Sequence, residues 1–378
     1  MNMKTLHSGS LNVNAGGPAL SMSLVLKGLE KAGAKTIALC EEIPADGKLI
    51  ASDLNVRFTH KGKYGTFAYV DNIKECLEKE EADIYHIHGT WMYHGLAVSR
   101  YADRMGKPYV VAPRGMLYPQ ALAHHALLKK MMMALYQRNV FSGAACVQAT
   151  CMEEMEHYRA LGFNNPVAVL PNPIDITGII EREIPIKPIV KIGYLGRLHP
   201  RKRVERLIYA FSNLKHELKD CQLIIIGGGD ETYTSFLKRE VTRLGLTNVV
   251  FTGFLNGKEK DEAVAELSLL VVPSDFENFG NIVTEALVRG VPVIASKGMP
   301  WQELLEYNCG WWIDNDQSSI DKTILEAIGL SVDKRMHMGQ NGKRMMRENY
   351  SVEVLGKKMK QLYEWILNGG EKPEFVYE

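Results

Sequence analysis

The sequence predicts an α/β fold with two Rossmann-like domains that face a central cleft. Strand-like and helix-like segments alternate along the chain, which is typical of parallel sheets covered by helices. The alternation forms two series, and turn-forming residues separate them. With 378 residues, of which 46% are hydrophobic, the chain is long enough to build two separate cores.

The first series predicts a domain over residues 1–170. Short runs of apolar, β-branched and aromatic residues bounded by turn formers predict its strands. The expected elements are a helix at 19–31 and strands at 36–40, 66–70, 83–88, 109–112 and 167–170.

A turn-rich segment that begins at Pro171-Asn172-Pro173 predicts a linker over 171–187, and the second series then predicts a domain over 188–351. A last helix at 352–367, in a C-terminal region over 352–378, can pack back on the first domain. The second domain is expected to contain a helix at 204–218 and strands at 190–195, 222–226, 248–252, 269–272 and 293–295.

Composition excludes several functions. The formal net charge is +1, which does not favour a nucleic-acid partner. The six cysteines lack C-x-x-C spacing, so neither a zinc site nor a disulfide framework is expected. No run reaches the ~18 apolar residues needed to span a bilayer, and the N-terminus lacks an apolar leader. We therefore expect a cytoplasmic protein, with peripheral attachment to the inner face of a membrane left open.

The most informative segment carries two glutamates eight residues apart, Glu277 and Glu285, around a helix start at Gly280. Backbone N–H groups of Asn278, Phe279 and Gly280 would be free at that start and would form an anion site. A nucleotide sugar has the matching pattern of sugar, diphosphate and ribose. A capping carboxylate and an ordinary helix glutamate are the alternative.

Three glycine-containing loops are candidates for phosphate contacts. In the loop after the strand at 190–195, Arg197 and Lys202 could neutralise a diphosphate without a metal, and a solvated basic loop is the alternative. We expect its neighbours Arg201 and Arg203 to be solvated. The glycines at 227–229 and the Gly16-Gly17 pair could let backbone approach a ligand, or could simply form tight turns.

Two histidines lie at the end of the strand at 83–88, and a tryptophan follows it. Alternation places His86 and His88 on one face, and His88 beside Gly89 could hydrogen-bond a sugar hydroxyl. A metal pair is disfavoured because no third histidine, cysteine or carboxylate lies close in sequence. Trp91 is either a stacking platform or part of the core, and Arg114 ends the next strand.

These motifs resemble those of a retaining glycosyltransferase of family 4, also called glycosyltransferase group 1. The resemblance covers nearly the whole chain and implies the GT-B architecture, with the donor bound mainly by the C-terminal half and the acceptor by the N-terminal half. The motifs that carry it are Gly-Arg-Leu-x-x-x-Lys at 196–202, Ser-x-x-x-Asn-Phe-Gly-Asn at 274–281, the Glu-x7-Glu pair, His-x-His-Gly at 86–89 and Pro-Arg-Gly-Met-Leu at 113–117.

The resemblance also implies roles for single residues. Arg197 and Lys202 would hold the diphosphate, Glu285 the ribose and Glu277 the donor sugar. Catalytic roles would fall to Glu277, His88, Arg197 and Lys202, and acceptor contacts to Trp91 and Arg114. Further donor contacts would come from Gly16, Gly17, Phe254, Asn278, Phe279, Gly280 and Asn281.

The implied reaction is a front-face transfer in which the leaving phosphate oxygen deprotonates the acceptor hydroxyl. The sequence departs from the family pattern at Cys151, Asn278 and Met299. None of these departures affects Arg197, Lys202, Glu277 or Glu285. A retaining glycosidase is disfavoured, because its two catalytic carboxylates would lie ~5 Å apart and Glu277 and Glu285 are expected to be farther apart than that. No cofactor and no metal are expected. Asp314 and Asp316 form an Asp-x-Asp pair, but we interpret it as a solvated turn far from any donor loop.

The acceptor is predicted only as a glycan or a lipid-linked molecule, with surface polysaccharide synthesis as the setting. Residues 100–138 carry seven cations against one acid, and 126–136 mixes apolar with basic residues. Such a helix could rest on anionic lipid, or pack into the core with a basic edge. A nucleotide-sugar epimerase and a non-catalytic sugar-nucleotide binder remain as alternatives. Base, sugar and linkage are not specified by these motifs.

Overall fold

A computed structural model describes residues 3–44, 47–51, 53–179 and 190–378. The chain divides into two compact units: Met1–Asp175 together with Tyr350–Glu378, and Ile176–Asn349. Much of the predicted linker at 171–187 lies outside the described residues, since 180–187 are not among them.

The strands are mostly short and buried on both faces, as parallel strands covered by helices must be. In chain order they are β1 (Lys4–Ser8), β2 (Lys35–Glu41), β3 (Val56–Thr59), β4 (Ile84–His88), β5 (Tyr109–Ala112), β6 (Cys146–Ala149), β7 (Val167–Val169), β8 (Val190–Leu195), β9 (Cys221–Ile226), β10 (Val249–Gly253), β11 (Leu269–Val272), β12 (Val293–Ser296), β13 (Gly310–Ile313) and β14 (Val376–Tyr377).

Helices connect most of these strands, and two five-residue π-helical turns, Met133–Gln137 and Met346–Tyr350, extend helices of the set. No helix in the described ranges is both long enough and apolar enough to cross a bilayer. The α-helices are α1 (Gly17–Lys31), α2 (Ile73–Lys79), α3 (Tyr93–Arg104), α4 (Pro119–Ala123), α5 (Ala126–Met132), α6 (Arg138–Ser142), α7 (Met152–Ala160), α8 (Glu205–Asn213), α9 (Glu231–Arg243), α10 (Gly257–Ala265), α11 (Asn281–Leu287), α12 (Glu303–Glu306), α13 (Gln317–Gly329), α14 (Val332–Met345) and α15 (Val352–Asn368).

Each unit is built on one sheet. The first sheet has the order β14-β7-β6-β5-β4-β1-β2-β3, with every pair parallel except β14 against β7. The second has the order β10-β9-β8-β11-β12-β13 and is parallel throughout. In both sheets the strand order reverses direction beside the first strand of the series, which creates the crevice where ligands of open α/β sheets bind. The predicted α/β class is confirmed.

Helix α15 belongs to the first unit and packs on α1 through two glycines. A Cβ on Gly356 would collide with the backbone of Gly28, and one on Gly28 would lie 2.6 Å from the carbonyl oxygen of Val352. Two helices can approach this closely only where side chains are missing. The contact fixes α15 against the sheet, where Tyr363 is buried in the core beside β1 and β4.

Two predicted elements are wrong. Residues 66–70 do not form a strand: Gly65–Phe67 is a 3-10 turn, and Tyr64 and Ala68 on either side have positive φ, at 64° and 54°. The edge strand is instead β3, which pairs with β2 and escaped prediction because exposed residues interrupt its apolar pattern. The predicted helix at 204–218 ends early, at Asn213, because the following residues form turns.

Candidate functional site

In the second unit, the predicted donor residues follow the carboxyl ends of adjacent parallel strands. Arg197 lies after β8, the glycines at 227–229 after β9, Phe254 after β10 and Glu277 after β11. Because β10, β9, β8 and β11 are neighbours, these loops share one edge of the sheet. This is the edge at which α/β sheets bind ligands.

The loop between β11 and α11 is held by backbone contacts on two sides. The Asp275 N–H donates to the Arg201 carbonyl at 2.9 Å, and the Glu277 N–H donates to the Gly298 carbonyl at 2.8 Å. Gly298 has to be glycine, since a Cβ there would collide with the Asp275 carbonyl. The loop therefore presents Glu277 in a fixed position.

Lys202 and Glu277 form an ion pair between the β8 loop and the β11 loop, and their side chains are only 11% and 13% exposed. Burial, with a smaller effect of the Arg201 guanidinium, lowers the pKa of the Lys202 ammonium. The Glu277 carboxylate in contact with it favours the charged form. The sequence predicted Lys202 for the diphosphate and Glu277 for the donor sugar, whereas in the structure the two side chains contact each other.

Glu285 lies on α11, is 8% exposed, and pairs with Lys260 of α10 at 2.7 Å. Its backbone carbonyl accepts a hydrogen bond from Arg289 at 2.6 Å, and Arg289 also pairs with Asp261 at 2.5 Å. Glu285 is thus fixed on a short helix beside a cation. Sequence reasoning missed Lys260, since a lysine in a charged helix resembles any solvated lysine.

Arg197 and Phe254 differ from these buried residues, because both are exposed. Arg197 has space to contact a ligand, and the Phe254 ring is 73% exposed. A large aromatic ring that is exposed to this extent, next to the glycine loop at 227–229, is free to stack on a planar ligand.

Gly227 and Gly229 are required for packing of the loops. A Cβ on Gly227 would collide with the Gly196 carbonyl, and a Cβ on Gly229 would collide with the Leu198 carbonyl. The φ angle of Gly227 is +142°, and that of Gly196 in the facing loop is +138°, which disfavours other residues at both positions. The tight-turn interpretation therefore explains Gly227 and Gly229 without any ligand, whereas a Cβ on Gly228 would meet its nearest atom only at 3.8 Å.

The helix start at Gly280 is built by aromatic packing. Gly280 has φ of +81° and is the N-cap of α11. The Trp301 indole N–H donates to the Phe279 carbonyl at 2.6 Å, and the two rings pack with centroids 5.0 Å apart. The methyl group of Met299 fills the space that a Cβ on Gly280 would occupy. Asn278 is half-buried next to this start, and Asn281 is the first residue of α11.

Arg201 and Arg203 are solvent-accessible as expected, but each also has a partner in the neighbouring loop. The Arg201 guanidinium lies over the Phe276 ring at 5.1 Å, and Arg203 pairs with Asp275 at 2.6 Å. Both contacts arise because the β8 and β11 loops are adjacent in space. They help hold the loop that carries Glu277.

The Asp314-Asn315-Asp316 turn is not far from the donor loop. Asn315 donates to the Pro273 carbonyl at 2.9 Å and to Asp275 at 3.3 Å. Asp314 pairs with Lys297 at 3.0 Å, and Asp316 caps α13 by accepting from the Ser319 N–H at 2.9 Å. The two carboxylates thus have structural partners, which explains the motif without a metal.

In the first unit, Gly16 caps α1 with φ of +66°, and Gly17 begins that helix. Both are exposed, and a Cβ on Gly16 would meet no atom within 4 Å. The backbone conformation, not crowding, therefore requires glycine at position 16. This backbone is accessible to a ligand.

The described part of the first unit has a third histidine beside His86 and His88. His7 on β1 is in register with His86 on β4, and candidate ligand atoms of the three rings lie within 4.8 Å of one another. The prediction that disfavoured a metal pair considered only neighbours in sequence, and it missed His7 because β1 was not predicted. Burial lowers the pKa of His7 to about 3 and lowers those of His86 and His88 well below the ordinary value, so all three rings are neutral at pH 7.

Both ring nitrogens of His88 already have protein partners. Its Nε2 lies 2.9 Å from Nδ1 of His7, and its Nδ1 lies 2.9 Å from Nη2 of Arg114. A sugar hydroxyl would have to displace one of them. Trp91 is half-buried and packs against the hydrophobic core, so the core interpretation describes this residue. Its backbone has φ of +72°.

Comparisons with known proteins agree with this architecture. The family model described as "Glycosyl transferase 4-like domain" matches residues 16–173, and the one described as "Glycosyl transferases group 1" matches residues 181–345. Together they span most of the chain.

Among solved structures, Anabaena HepE in complex with UDP and glucose is 18% identical, with a TM-score of 0.75 over 96% of this chain and 99% of that one. A sucrose-phosphate synthase from Thermosynechococcus elongatus is also 18% identical, with a TM-score of 0.78 over 97% of this chain and 100% of that one. At this identity the likeness concerns the fold alone, and the fold is that of GT-B proteins.

Sequence relatives give the same family. An uncharacterized glycosyltransferase of Methanocaldococcus jannaschii is 25% identical over 311 residues, which cover 76% of each chain. A GDP-mannose-dependent alpha-mannosyltransferase of Mycolicibacterium smegmatis is 38% identical over 109 residues, 29% of this chain and 25% of that protein. The chain belongs to the group 1, family 4 glycosyltransferases, and the protein is a glycosyltransferase.

Proposed function

We propose that the protein transfers a sugar, with retention of anomeric configuration, from a nucleotide-diphosphate sugar to a hydroxyl of a glycan or lipid-linked acceptor. The observation that carries the proposal is the contact between Lys202 and Glu277 at the carboxyl edge of the second sheet. It places a cation suited to a diphosphate against a carboxylate suited to sugar hydroxyls. The solved structures of HepE with UDP and with UDP-glucose favour a nucleotide-sugar donor.

The ion pair suggests how a donor would change the site. A diphosphate would compete with Glu277 for the Lys202 ammonium, since both offer anionic oxygens. The released Glu277 carboxylate would then accept hydrogen bonds from hydroxyls of the donor sugar. Arg197, which is exposed, would take a second phosphate oxygen. Charge on the leaving diphosphate would thereby be stabilised as it develops.

The other donor contacts follow from position and exposure. Glu285 would accept from the ribose hydroxyls, and the exposed Phe254 ring would stack on the base. Backbone at Phe279 and Gly280, with the Asn278 and Asn281 side chains, would contact phosphate and sugar. In the first unit, the exposed backbone at Gly16 and Gly17 has room for close contact with a ligand. No metal has a role in this scheme, because Lys202 and Arg197 supply the charge.

The acceptor side would lie at the end of β4 and β5, where His88 and Arg114 are in contact. We assign His88 the task of holding Arg114, since both ring nitrogens of His88 are engaged. The setting we propose is surface polysaccharide synthesis at the cytoplasmic face of a membrane.

A membrane contact is supported by the exposed face of α5 and the π turn that follows it. Leu127, Met131 and Leu135 recur every fourth residue and are 76%, 52% and 73% exposed, with Leu128 beside them. Lys130 and Arg138 are exposed on the same segment. Apolar side chains flanked by cations match a bilayer surface that contains anionic lipid.

The test is incubation of the protein with UDP-, GDP- and ADP-sugars and with acceptor extracts. We expect release of nucleoside diphosphate and a new glycoside whose anomeric configuration, read by NMR, matches that of the donor. Glu277→Gln and Arg197→Met should abolish this, whereas Glu262→Gln on the exposed face of α10 should not.

Other outcomes would contradict the proposal. An isomerised donor without a glycoside would indicate an epimerase, and binding without turnover would indicate a sugar-nucleotide binder. An inverted product would exclude retention. Activity lost in EDTA and restored by manganese would exclude the metal-independent scheme.

A further inference from the structure

We propose that Arg114 is a phosphate-binding residue of the first unit, and that a chain of neutral histidines and Tyr363 fixes its position. The inference rests on the proposed function and deepens it, because it assigns an anionic group to the substrate that meets the end of β5. The residues that carry it come from β1, β4, the β5 loop and α15.

No carboxylate among the described residues forms an ion pair with Arg114, although the nearby Glu154 charge raises its pKa. One arm of its guanidinium donates to the Asn172 side-chain oxygen and the other to His88 Nδ1, and both acceptors are neutral. Its Nε is buried and has no hydrogen-bond partner among the described residues. Burial lowers the pKa of Arg114 to about 10, so the charge is held at a cost in desolvation.

The acid whose charge acts on Arg114, Glu154, has hydrogen-bond partners of its own. Glu154, which is 1% exposed, accepts from the Gly115 N–H at 2.5 Å and from the Thr150 N–H and hydroxyl at 2.7 and 2.8 Å. These contacts occupy both carboxylate oxygens. The fold therefore places an acid near Arg114 without pairing the two, which leaves the guanidinium available to an external anion.

The backbone at this edge is strained. Arg114 has φ of +56° and Trp91 has φ of +72°, in a region that residues with a side chain rarely adopt. The two residues follow β5 and β4, which are adjacent in the sheet. Strain of this kind persists where the surrounding structure enforces it, often at binding sites.

The histidine protons can be assigned by elimination. Arginine only donates, so Nδ1 of His88 must accept, and a neutral His88 then carries its proton on Nε2. That proton is donated to Nδ1 of His7 at 2.9 Å. His7 must therefore carry its own proton on Nε2, which faces the Tyr363 hydroxyl at 3.5 Å.

The chain of contacts ends at His86. The Tyr363 hydroxyl lies 2.6 Å from Nδ1 of His86, and Nε2 of His86 is buried without a hydrogen-bond partner among the described residues. Arg114 thus sets the tautomers of His88 and His7, whereas either tautomer of His86 is compatible with a hydroxyl that can donate or accept. In return, His88 is held as an acceptor that fixes one arm of the guanidinium.

The same assignment argues against a metal in the histidine cluster. If Nε2 of His88 bound a metal, its proton would move to Nδ1 and face the N–H of Arg114, so two donors would oppose each other. A buried guanidinium at 2.9 Å would also repel a dication. The guanidinium attracts an anion instead, and a phosphate oxygen matches its remaining N–H groups.

The proposal is tested on the full chain labelled with ¹⁵N in histidine and arginine. Long-range ¹H–¹⁵N spectra at pH 7 should show His7, His86 and His88 neutral, with His7 and His88 protonated on Nε2. Inorganic phosphate or pyrophosphate should shift the Arg114 Nε–H signal and the His88 signals in a saturable way. Arg114→Lys identifies the signal, and Arg100→Lys, an exposed position on α3, is the matched control.

Three variants separate positioning from folding. His7→Asn keeps an acceptor near the position of Nδ1 and should preserve phosphate binding. His7→Leu should release His88 and weaken phosphate binding about tenfold, which corresponds to the loss of one hydrogen bond to the Arg114 guanidinium. Tyr363→Phe should shift the His86 and His7 signals and leave the His7 proton on Nε2 while α15 stays docked, which circular dichroism would verify.

The source of the phosphate is resolved by two further probes. A shift produced by UDP and lost in Arg197→Met would assign Arg114 to the donor diphosphate. A shift produced by farnesyl phosphate and kept in Arg197→Met would assign it to a phosphate on the acceptor.

Three results would overturn the proposal: a proton on Nδ1 of His88, tight stoichiometric zinc binding that His7→Leu removes, or no saturable shift with any of these anions. If the shift occurs but no sugar nucleotide is turned over, the proposed function fails and the phosphate site stands.

Discussion

The Lys202 ammonium and the Glu277 carboxylate neutralise each other in a pair that is almost buried. Loss of either partner leaves an uncompensated charge away from water. We therefore expect Lys202→Met and Glu277→Gln each to lower the free energy of unfolding, by about 3 kcal/mol for the lysine variant. The double variant should lose at least about 1 kcal/mol less than the two single changes added together.

Urea unfolding of the four proteins measures this coupling. The exposed pair Lys258 and Glu262 on α10 is the matched control, and removal of either partner should change stability by less than about 0.5 kcal/mol. Additive effects at positions 202 and 277 would show that the contact contributes nothing to stability.

Glu285 should affect nucleotide affinity more than turnover. Its carboxylate is fixed by Lys260, so Glu285→Gln removes a charged acceptor without opening a cavity. We expect UDP or GDP binding to weaken about tenfold or more, the usual loss for a hydrogen bond to a charged group. Calorimetric titration measures it, with Glu262→Gln as the reference; equal affinities would remove Glu285 from the nucleotide site.

The buried histidines should make the protein sensitive to acid. His7, His86, His88 and His94 all have a pKa lowered by burial, so below the unfolded value of about 6.5 the unfolded chain binds protons that the folded chain does not. Stability must then fall as the pH falls, by at most about 1.4 kcal/mol per pH unit for each histidine.

Urea midpoints between pH 7.5 and 5.5 provide the measurement. Stability should decline steeply as the pH falls below 6.5. His7→Asn, which removes one of these groups, should make the decline shallower by about one proton. Stability that rises on acidification would mean that the rings gain protons on folding.

The glycine contact between α1 and α15 should tolerate no side chain. Gly356→Leu would force α15 away from Gly28, and we expect a loss of about 3 kcal/mol, at the upper end for overpacking. Gly329→Ala at the end of α13, where a Cβ would meet no atom within 4 Å, should be neutral or slightly stabilising. Thermal unfolding compares them, and equal melting temperatures would show that the two helices can separate at little cost.

Membrane contact should depend on the apolar face of α5 more than on Lys129, whose ammonium donates to the Ala121 carbonyl at 2.5 Å. Leu127→Glu/Leu135→Glu should abolish sedimentation with vesicles that contain phosphatidylglycerol. Lys130→Glu should weaken it at low salt. Leu305→Glu, at an exposed leucine of the second unit, is the control. Equal sedimentation of all variants would remove the membrane from the proposed function.

Sequence patterns predicted the strands with clear apolar runs. The strands at 109–112, 190–195 and 269–272 have the same bounds as β5, β8 and β11, because each has four apolar residues within a stretch of four to six between turn formers. The loops that follow them carry Arg197, Lys202 and Glu277, so the location of the candidate donor site was predictable together with the family.

Partners across the sheet were not predictable. His7 joins His86 only through the register of β1 against β4, and Tyr363 arrives from α15, more than 270 residues later. Arg203 and Lys260 looked like solvated cations because their acidic partners, Asp275 and Glu285, are close only in space. The signal that could have found His7 is Thr5-Leu6-His7-Ser8, a short buried strand before Gly9.

The path of the chain also sets an order of assembly during synthesis. The second unit is one continuous stretch, Ile176–Asn349, which emerges from the ribosome complete, whereas the first unit needs α15 and β14 from the end of the chain. The second unit is therefore expected to fold first, although its sequence comes later. Until α15 docks, the Tyr363 hydroxyl is missing from the histidine chain, so a nascent chain cannot yet hold Arg114 ready for an anion.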